Sequence, residues 1–406
     1  MDLLFLSVSG PRRGRFAYSV VLITGLGLLS GCVEVREPFT ETQQNDAQIP
    51  GIADARFWND APDAALRMAP PASAGNNLTM LALSGGGDNS AFGAGLLNGW
   101  TKSGTRPEFS IVTGVSTGAL IAPFAFLGSR YDAALADVYT HISAQDIYRP
   151  RFPLAFLWTT SLYDTAPFAR MIEAHVTDSM INEIASEYSH GRRLFVGTAN
   201  LDAQRMVIWN MGAIAASHEP DRYALFRKVL LASSSIPALF PPVMINAVVQ
   251  GHVISEMHVD GGATAQILTV PNQVVIDDRL PAATPNRLRV YLIVNSKLGG
   301  DFHVVEPRTI PILSQAFSLD VQSSLYSLVS TSYLFAHDHG IDFNLSYIRN
   351  DFPAGYGKFF DFGEMQQLYD YGVRRGEDPQ SWDKHPPGQG ELLIKQQPAK
   401  SDANNQ

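Results

Sequence analysis

Short aliphatic runs, each closed by glycine or a polar residue, alternate with longer stretches of helical spacing through the middle of this chain. The runs are Met80–Leu83, Phe109–Thr113, Leu194–Ala199 and Val290–Val294. The helical stretches are Ala91–Trp100, Thr117–Leu127, Tyr131–Ile142, Phe168–Tyr188 and Arg222–Ala232. Runs this short and this apolar read as buried strands, and their alternation with helices predicts an α/β layer fold with a largely parallel sheet. Such sheets bind ligands beyond the carboxyl ends of their strands. Chemistry is therefore sought where a strand turns into a helix.

Two junctions stand out. The first runs Leu83-Ser84-Gly85-Gly86-Gly87-Asp88-Asn89-Ser90 into the helical stretch that begins at Ala91. Consecutive glycines leave backbone N–H groups uncovered, and at a helix amino terminus such groups suit an anion. A glycine-rich packing turn is the plainer reading. A dinucleotide fingerprint fails, because Ser90 stands where its third glycine belongs and the next strand lacks the acidic residue a ribose needs. The second junction, Thr113-Gly114-Val115-Ser116-Thr117-Gly118, sets a Gly-x-Ser-x-Gly turn between a strand and a helix. A serine hydroxyl is a weak nucleophile unless it is presented and activated, and a sharp turn with small neighbours presents it.

A nucleophile needs a base. Asp260 follows the expected strand Val253–Val259 and opens Asp260-Gly261-Gly262, the only Asp-Gly pair in the chain. A hairpin turn is the competing reading of that pair. His252, His258, His303, His337 and His339 would serve a Ser-His-Asp lipase, but none lies in a loop that singles it out. Asp202 and Glu256 read as solvated or turn residues.

Taken in order, the glycine triplet, Gly114–Gly118 and Asp260–Gly262 resemble the motifs of the patatin-like phospholipase family. Gly197–Asp202 before Met206–Trp209, and Ala232–Pro242, are similar to further segments of that family, so the likeness spans about residues 78 to 265. The resemblance implies a three-layer α/β sandwich and hydrolysis of lipid acyl esters, of phospholipase A, lysophospholipase or esterase type, by a Ser–Asp dyad without cofactor or metal. It implies Ser116 as nucleophile, Asp260 as its base, and the N–H groups of Gly86 and Gly87 as oxyanion donors; Gly85, Asp88, Gly114, Gly118, Gly261 and Gly262 complete the motif loops. One departure stands out. Family members commonly carry Arg or Lys two places after the triplet and then Gly, where this chain has Asn89 and Ser90. That weakens the case for a phosphate-bearing substrate and leaves simple acyl esters open. The reading from another class is a catalytically silent lipoprotein that binds a lipid or a partner on the same fold.

The amino terminus reads as an address. Arg12, Arg13 and Arg15 precede an apolar run, Phe16–Leu29, too short for a confident membrane span. Leu29-Ser30-Gly31-Cys32 then resembles the lipobox of bacterial lipoproteins, in which the cysteine becomes the acylated amino terminus. Arg12-Arg13 fits a twin-arginine signal poorly. Cys32 is the only cysteine, so neither an intramolecular disulfide nor a Cys-based zinc site is available. The formal charge of −9 has no basic block, which argues against nucleic acid as a partner. The expectation is an exported lipoprotein held by Cys32, outer-membrane sorted and facing the periplasm or the cell surface. Its domains read as a signal peptide over 1–31, a tether over 32–77, a catalytic unit over 78–376 and a disordered tail over 377–406. The apolar segment Phe152–Trp158 reads as a buried cap, with a lid or interfacial contact as the alternative.

Overall fold

The computed structural model describes residues 36–71, 77–152, 159–269, 275, 288–300, 304–353 and 360–388. Its strands are β1 (Arg56–Trp58), β2 (Leu78–Leu83), β3 (Ile111–Val115), β4 (Arg149–Pro150), β5 (Tyr163–Asp164), β6 (Arg193–Asn200), β7 (Arg205–Asn210), β8 (Val243–Val249), β9 (His252–Asp260), β10 (Leu288–Val294) and β11 (Asp342–Tyr347). The main sheet runs β1-β7-β6-β3-β2-β10-β11, with β9 pairing on β6 and β8 on β9. From β6 to β11 all neighbours are parallel, whereas β7, β1, β9 and β8 join antiparallel.

The central strands β2, β3 and β10 are largely apolar because both faces are covered. Leu81 and Leu83 of β2 enter one core with the helices Ala91–Lys102 and Thr117–Leu127. Met80 and Ala82, on the opposite face, enter a second core with Leu325 and Val329 of the helix Thr309–Asp338. Alternate residues of one strand thus feed two cores, the three-layer α/β arrangement that the alternation implied. The chain moves from β2 to β3 and β6 on one side, then from β10 to β11 on the other. The reversal lies between β2 and β10, where two carboxyl-end loops diverge and leave a crevice.

Several boundaries differ from the sequence reading. The stretch Phe168–Tyr188 is two helices, Ala166–His175 and Asp178–Ser189; Thr177 caps the second through its hydroxyl, which accepts from the Met180 amide at 3.2 Å. Most of the expected tether is packed: β1 pairs with β7, Gln48 bridges to Val248, and Ala47, Ile49, Ile52 and Ala55 are buried. The start of the expected tail is packed as well. Trp382 lies against Trp100 and Tyr291 at ring distances of 4.5 and 4.8 Å, and Asp383 bridges to Leu345. Polar, proline-rich sequence hid these contacts, since single anchors such as Trp382 produce no periodic pattern. Residues 389–406 lie outside the described residues.

Candidate active site

β3 delivers its last residue, Val115, to a turn in which Ser116 has φ 54° and ψ −132°. Positive φ is costly for a side chain with a Cβ, and it is sustained here by surrounding contacts. The Ser116 amide donates to Ser233 Oγ at 3.0 Å, and that hydroxyl donates in turn to the Gly197 carbonyl at 2.7 Å. The helix Thr117–Leu127 starts directly after Ser116 and favours negative charge there. The motif glycines allow backbone contact: a Cβ on Gly114 would stand 2.6 Å from Ala119 Cα, and one on Gly118 would stand 2.4 Å from the Ser84 carbonyl oxygen.

Ser116 Oγ donates to Asp260 Oδ2 at 2.6 Å. Both residues are buried, although 144 positions separate them. β9 brings the aspartate there by pairing Asp260 with Thr198 of β6, the neighbour of β3. The second carboxylate oxygen, Oδ1, accepts from the Gly262 amide at 2.7 Å, and the Asp260 amide donates to the Ser235 carbonyl at 2.9 Å. Gly261 lies against β6, where a Cβ would meet the Gly197 oxygen at 2.4 Å. Burial pushes the Asp260 carboxyl up to about 7, against the opposing hydrogen bonds from Ser116 and Gly262. A carboxylate this basic, holding a serine proton, is equipped for proton transfer at neutral pH.

The glycine triplet follows β2 and passes directly beside the serine, since a Cβ on Gly85 would be 2.9 Å from Ser116 Cβ. The Gly85 amide is committed to the Gln266 carbonyl at 3.0 Å. No acceptor is assigned to the amides of Gly86 and Gly87 among the described residues. Gly87 has φ 61° with open space where a side chain would begin. Asp88 Oδ2 accepts from the Phe360 amide at 2.8 Å, and burial raises its carboxyl. Ser90, where the resemblance leads one to expect glycine, pairs its hydroxyl with Thr117 Oγ1 at 2.5 Å and ties the starts of two helices together.

Three supporting residues escaped the sequence reading. Ser233 lies in a quoted segment, Ala232-Ser233-Ser234-Ser235, but nothing in it singled out the first serine. Gln266 joins the two glycine loops, its carbonyl taking the Gly85 amide and its Nε2 donating to the Gly262 carbonyl at 2.8 Å. Asn295, at the carboxyl end of β10, donates its amide to Ser84 Oγ and its Nδ2 to the Ser84 carbonyl, both at 2.8 Å. Its own carbonyl blocks any side chain at Gly86, 2.3 Å from where a Cβ would be. A single asparagine after an aliphatic strand was the available signal, and only the β2–β10 pairing makes it meaningful.

Glu256 corrects an expectation. It is fully buried rather than solvated, held by Arg56 on both oxygens and by His258 at 3.2 Å. Burial alone would raise its carboxyl, but those partners outweigh it and pull the group well below the usual range. His258 Nδ1 meets Thr198 Oγ1 at 3.0 Å. Among the described residues no histidine is bonded to Ser116 or Asp260, and no cluster of three His, Cys, Asp or Glu side chains could hold a metal ion. Asp202 is ion-paired with Arg36 at 2.6 Å. Cys32, the signal segment, His303 and residues 153–158 of the apolar stretch lie outside the described residues, while Phe152 itself is exposed.

Residues 81–270 match the family model of the patatin-like phospholipases. Among solved structures the chain is similar to VipD from Legionella pneumophila, at 8% identity and a TM-score of 0.37, over 75% of this chain and 67% of that one. It is also similar to the type III effector protein ExoU, at 11% identity and a TM-score of 0.26, over 76% of this chain and 54% of that one. No match was found among curated proteins.

Proposed function

From a chain whose residues 81–270 form a patatin-like phospholipase domain, we propose a serine acyl hydrolase that cleaves lipid acyl esters with a Ser116–Asp260 dyad. The observation that carries this reading is the 2.6 Å hydrogen bond from the strained, buried Ser116 to a carboxylate of raised basicity. Ser116 Oγ attacks the ester carbonyl carbon as its proton passes to Asp260 Oδ2. The carbonyl oxygen becomes an oxyanion, received by the amides of Gly86 and Gly87. Preformed donors of this kind are worth roughly 3–4 kcal/mol each in barrier height. Collapse of the tetrahedral intermediate breaks the bond to the alcohol, which leaves with the proton returned by Asp260. Water then attacks the acyl-enzyme as Asp260 takes its proton, and the fatty acid departs as the proton returns to Ser116. Asp88, bonded to the Phe360 amide, adds no cation beside the triplet, which favours the acyl ester over a headgroup phosphate as the recognised element.

A fluorophosphonate read out by mass spectrometry tests the nucleophile. Labelling is expected at Ser116, absent in Ser116→Ala and slowed by at least about a hundredfold in Asp260→Asn. Labelling elsewhere, or none in folded protein, overturns the proposal. From the lipobox-like sequence Leu29-Ser30-Gly31-Cys32 we also propose that Cys32 is the acylated amino terminus of an exported bacterial lipoprotein at the outer membrane, an anchor that would keep the site beside lipid.

A further inference from the structure

The helix Thr309–Asp338 has 30 residues and so measures about 45 Å. The strands it connects, β10 and β11, have seven and six residues, or roughly 20–23 Å. The helix is therefore about twice as long as the sheet it covers. Its burial shows which half: Leu325, Val329, Phe335 and Ala336 are buried, whereas no described residue before Leu325 is. The direction of the overhang follows from the connection. The chain leaves β10 at Val294, passes Asn295 beside the glycine loop, and starts the helix at Thr309. The helix then runs back across the sheet to the opposite edge, where β11 begins. Gln322 Nε2 donates to the Gly299 carbonyl at 2.6 Å and marks the point where the helix crosses the edge that carries Ser116. The residues before it project beyond that edge.

The bare surface of this projecting half carries several large apolar side chains. Ile312, Leu313, Phe317 and Leu319 are each more than half exposed, and Val304 just before them is almost wholly so. At about 100° per residue the four helical side chains share an arc of roughly 160°. Five of the twelve large apolar side chains exposed among the described residues thus fall between positions 304 and 319, a patch rather than scatter. Charges between 304 and 324 are few: Glu306 and Arg308, paired with each other at 3.2 Å, and Asp320 on the arc. No helix among the described residues is long and apolar enough to cross a membrane. An exposed apolar arc of this breadth on one helix is the kind of surface that can enter the headgroup–acyl boundary of a bilayer.

We propose that the first half of this helix, Thr309–Ser324, docks on a zwitterionic phospholipid surface, with Ile312, Leu313, Phe317 and Leu319 entering the headgroup–acyl boundary and holding the catalytic edge of the sheet against its substrate. This rests on the acyl-hydrolase reading, which puts the substrate in that surface. The occupant is uncharged overall because the projecting half carries no basic cluster and the whole chain is acidic, so anionic headgroups add no attraction.

The experiment uses the full chain with Cys32→Ser, which removes any acyl anchor and the only native thiol. An environment-sensitive dye on Phe317→Cys is expected to shift to the blue with phosphatidylcholine vesicles, while the same dye on Leu66→Cys, on an exposed site elsewhere, stays unshifted. The fourfold variant Ile312→Ser, Leu313→Ser, Phe317→Ser and Leu319→Ser is expected to lose at least tenfold in vesicle hydrolysis and keep its rate on a soluble butyrate ester. Since none of the four side chains is buried, its melting temperature should match the parent. A dye already shielded without vesicles would assign the patch to a segment of this chain. A shift that follows protein concentration would assign it to a second copy. Either result, or vesicle hydrolysis unchanged in the fourfold variant, overturns the proposal. A parent that cleaves no ester refutes the hydrolase reading, and the dye still decides the docking.

Discussion

Asp260 shows how much one buried carboxyl determines. It accepts the Ser116 proton only when ionised, so kcat/KM on a soluble ester should rise with unit slope through an apparent pKa near 7. An acid limb near 4 would mean that another group is the base. The same titration acts on stability with the opposite sign. In the unfolded chain Asp260 ionises near its ordinary 3.8, and in the fold near 7. Below pH 4 both states are protonated and nothing is lost; between 4 and 7 the unfolded state releases its proton first, and stability falls and stays lower above 7. Asp260→Asn should therefore be more stable than the parent at pH 8, by on the order of 1–3 kcal/mol, with the advantage shrinking toward pH 4. Thermal melts at both pH values measure this. Activity and stability thus pull against each other at one residue. The sequence made Ser116 and Asp260 legible because a turn that presents a serine needs small neighbours, and small neighbours leave a motif. Ser233, Gln266 and Asn295 left none. Each acts by bonding to a residue remote in sequence, Ser233 to Ser116 and Gly197, Gln266 to Gly85, and Asn295 to Ser84, and such a partner cannot be read from the polar residue alone.

Among the elements, the helices Ala91–Lys102 and Phe362–Glu377 pack with their backbones in contact. A Cβ on Gly95 would lie 2.0 Å from the Tyr369 carbonyl oxygen, and one on Gly372 would lie 2.2 Å from that of Phe92. Gly99 and Gly376 repeat the arrangement one turn on. Because the first helix carries the glycine loop at its amino end, this contact also fixes the loop's rear. Gly372→Leu should cost at least about 1–3 kcal/mol through overpacking, read as a lower melting temperature. An unchanged melting temperature would show that the two helices are not in close contact. The central strands and the helices Ala91–Lys102, Thr117–Leu127 and Arg222–Ser233 were legible from periodicity. The helix Thr309–Asp338 was not read from the sequence, and which part of it is left bare is decided only by the sheet it overhangs.

On the scale of the whole molecule, the structure shortens the tether. Arg36 already bonds to Asp202 and to the Ser255 carbonyl, and β1 brings Arg56 onto Glu256 two residues ahead of the strand position before Asp260's neighbour Val259. Cys32 lies four positions before Arg36, so an acyl anchor there would stand within about 14 Å of the folded body. Cys32→Ser in the full chain should abolish incorporation of labelled palmitate and move the protein from the detergent to the aqueous phase on phase separation. Label retained in that variant would assign the acyl group to another residue.

By itself the sequence determined the α/β class, the strand-to-helix junctions and, with the motif resemblance, the two residues that meet at the candidate site, because apolar periodicity and crowded turns are local demands met by local sequence. Only the tertiary structure decided which strands are neighbours, and with that the 2.6 Å contact across 144 residues, the three residues behind it, the packing of both ends and the overhang of the long helix. Those depend on sheet order and on which surface is left uncovered, and a chain records neither until distant segments have paired.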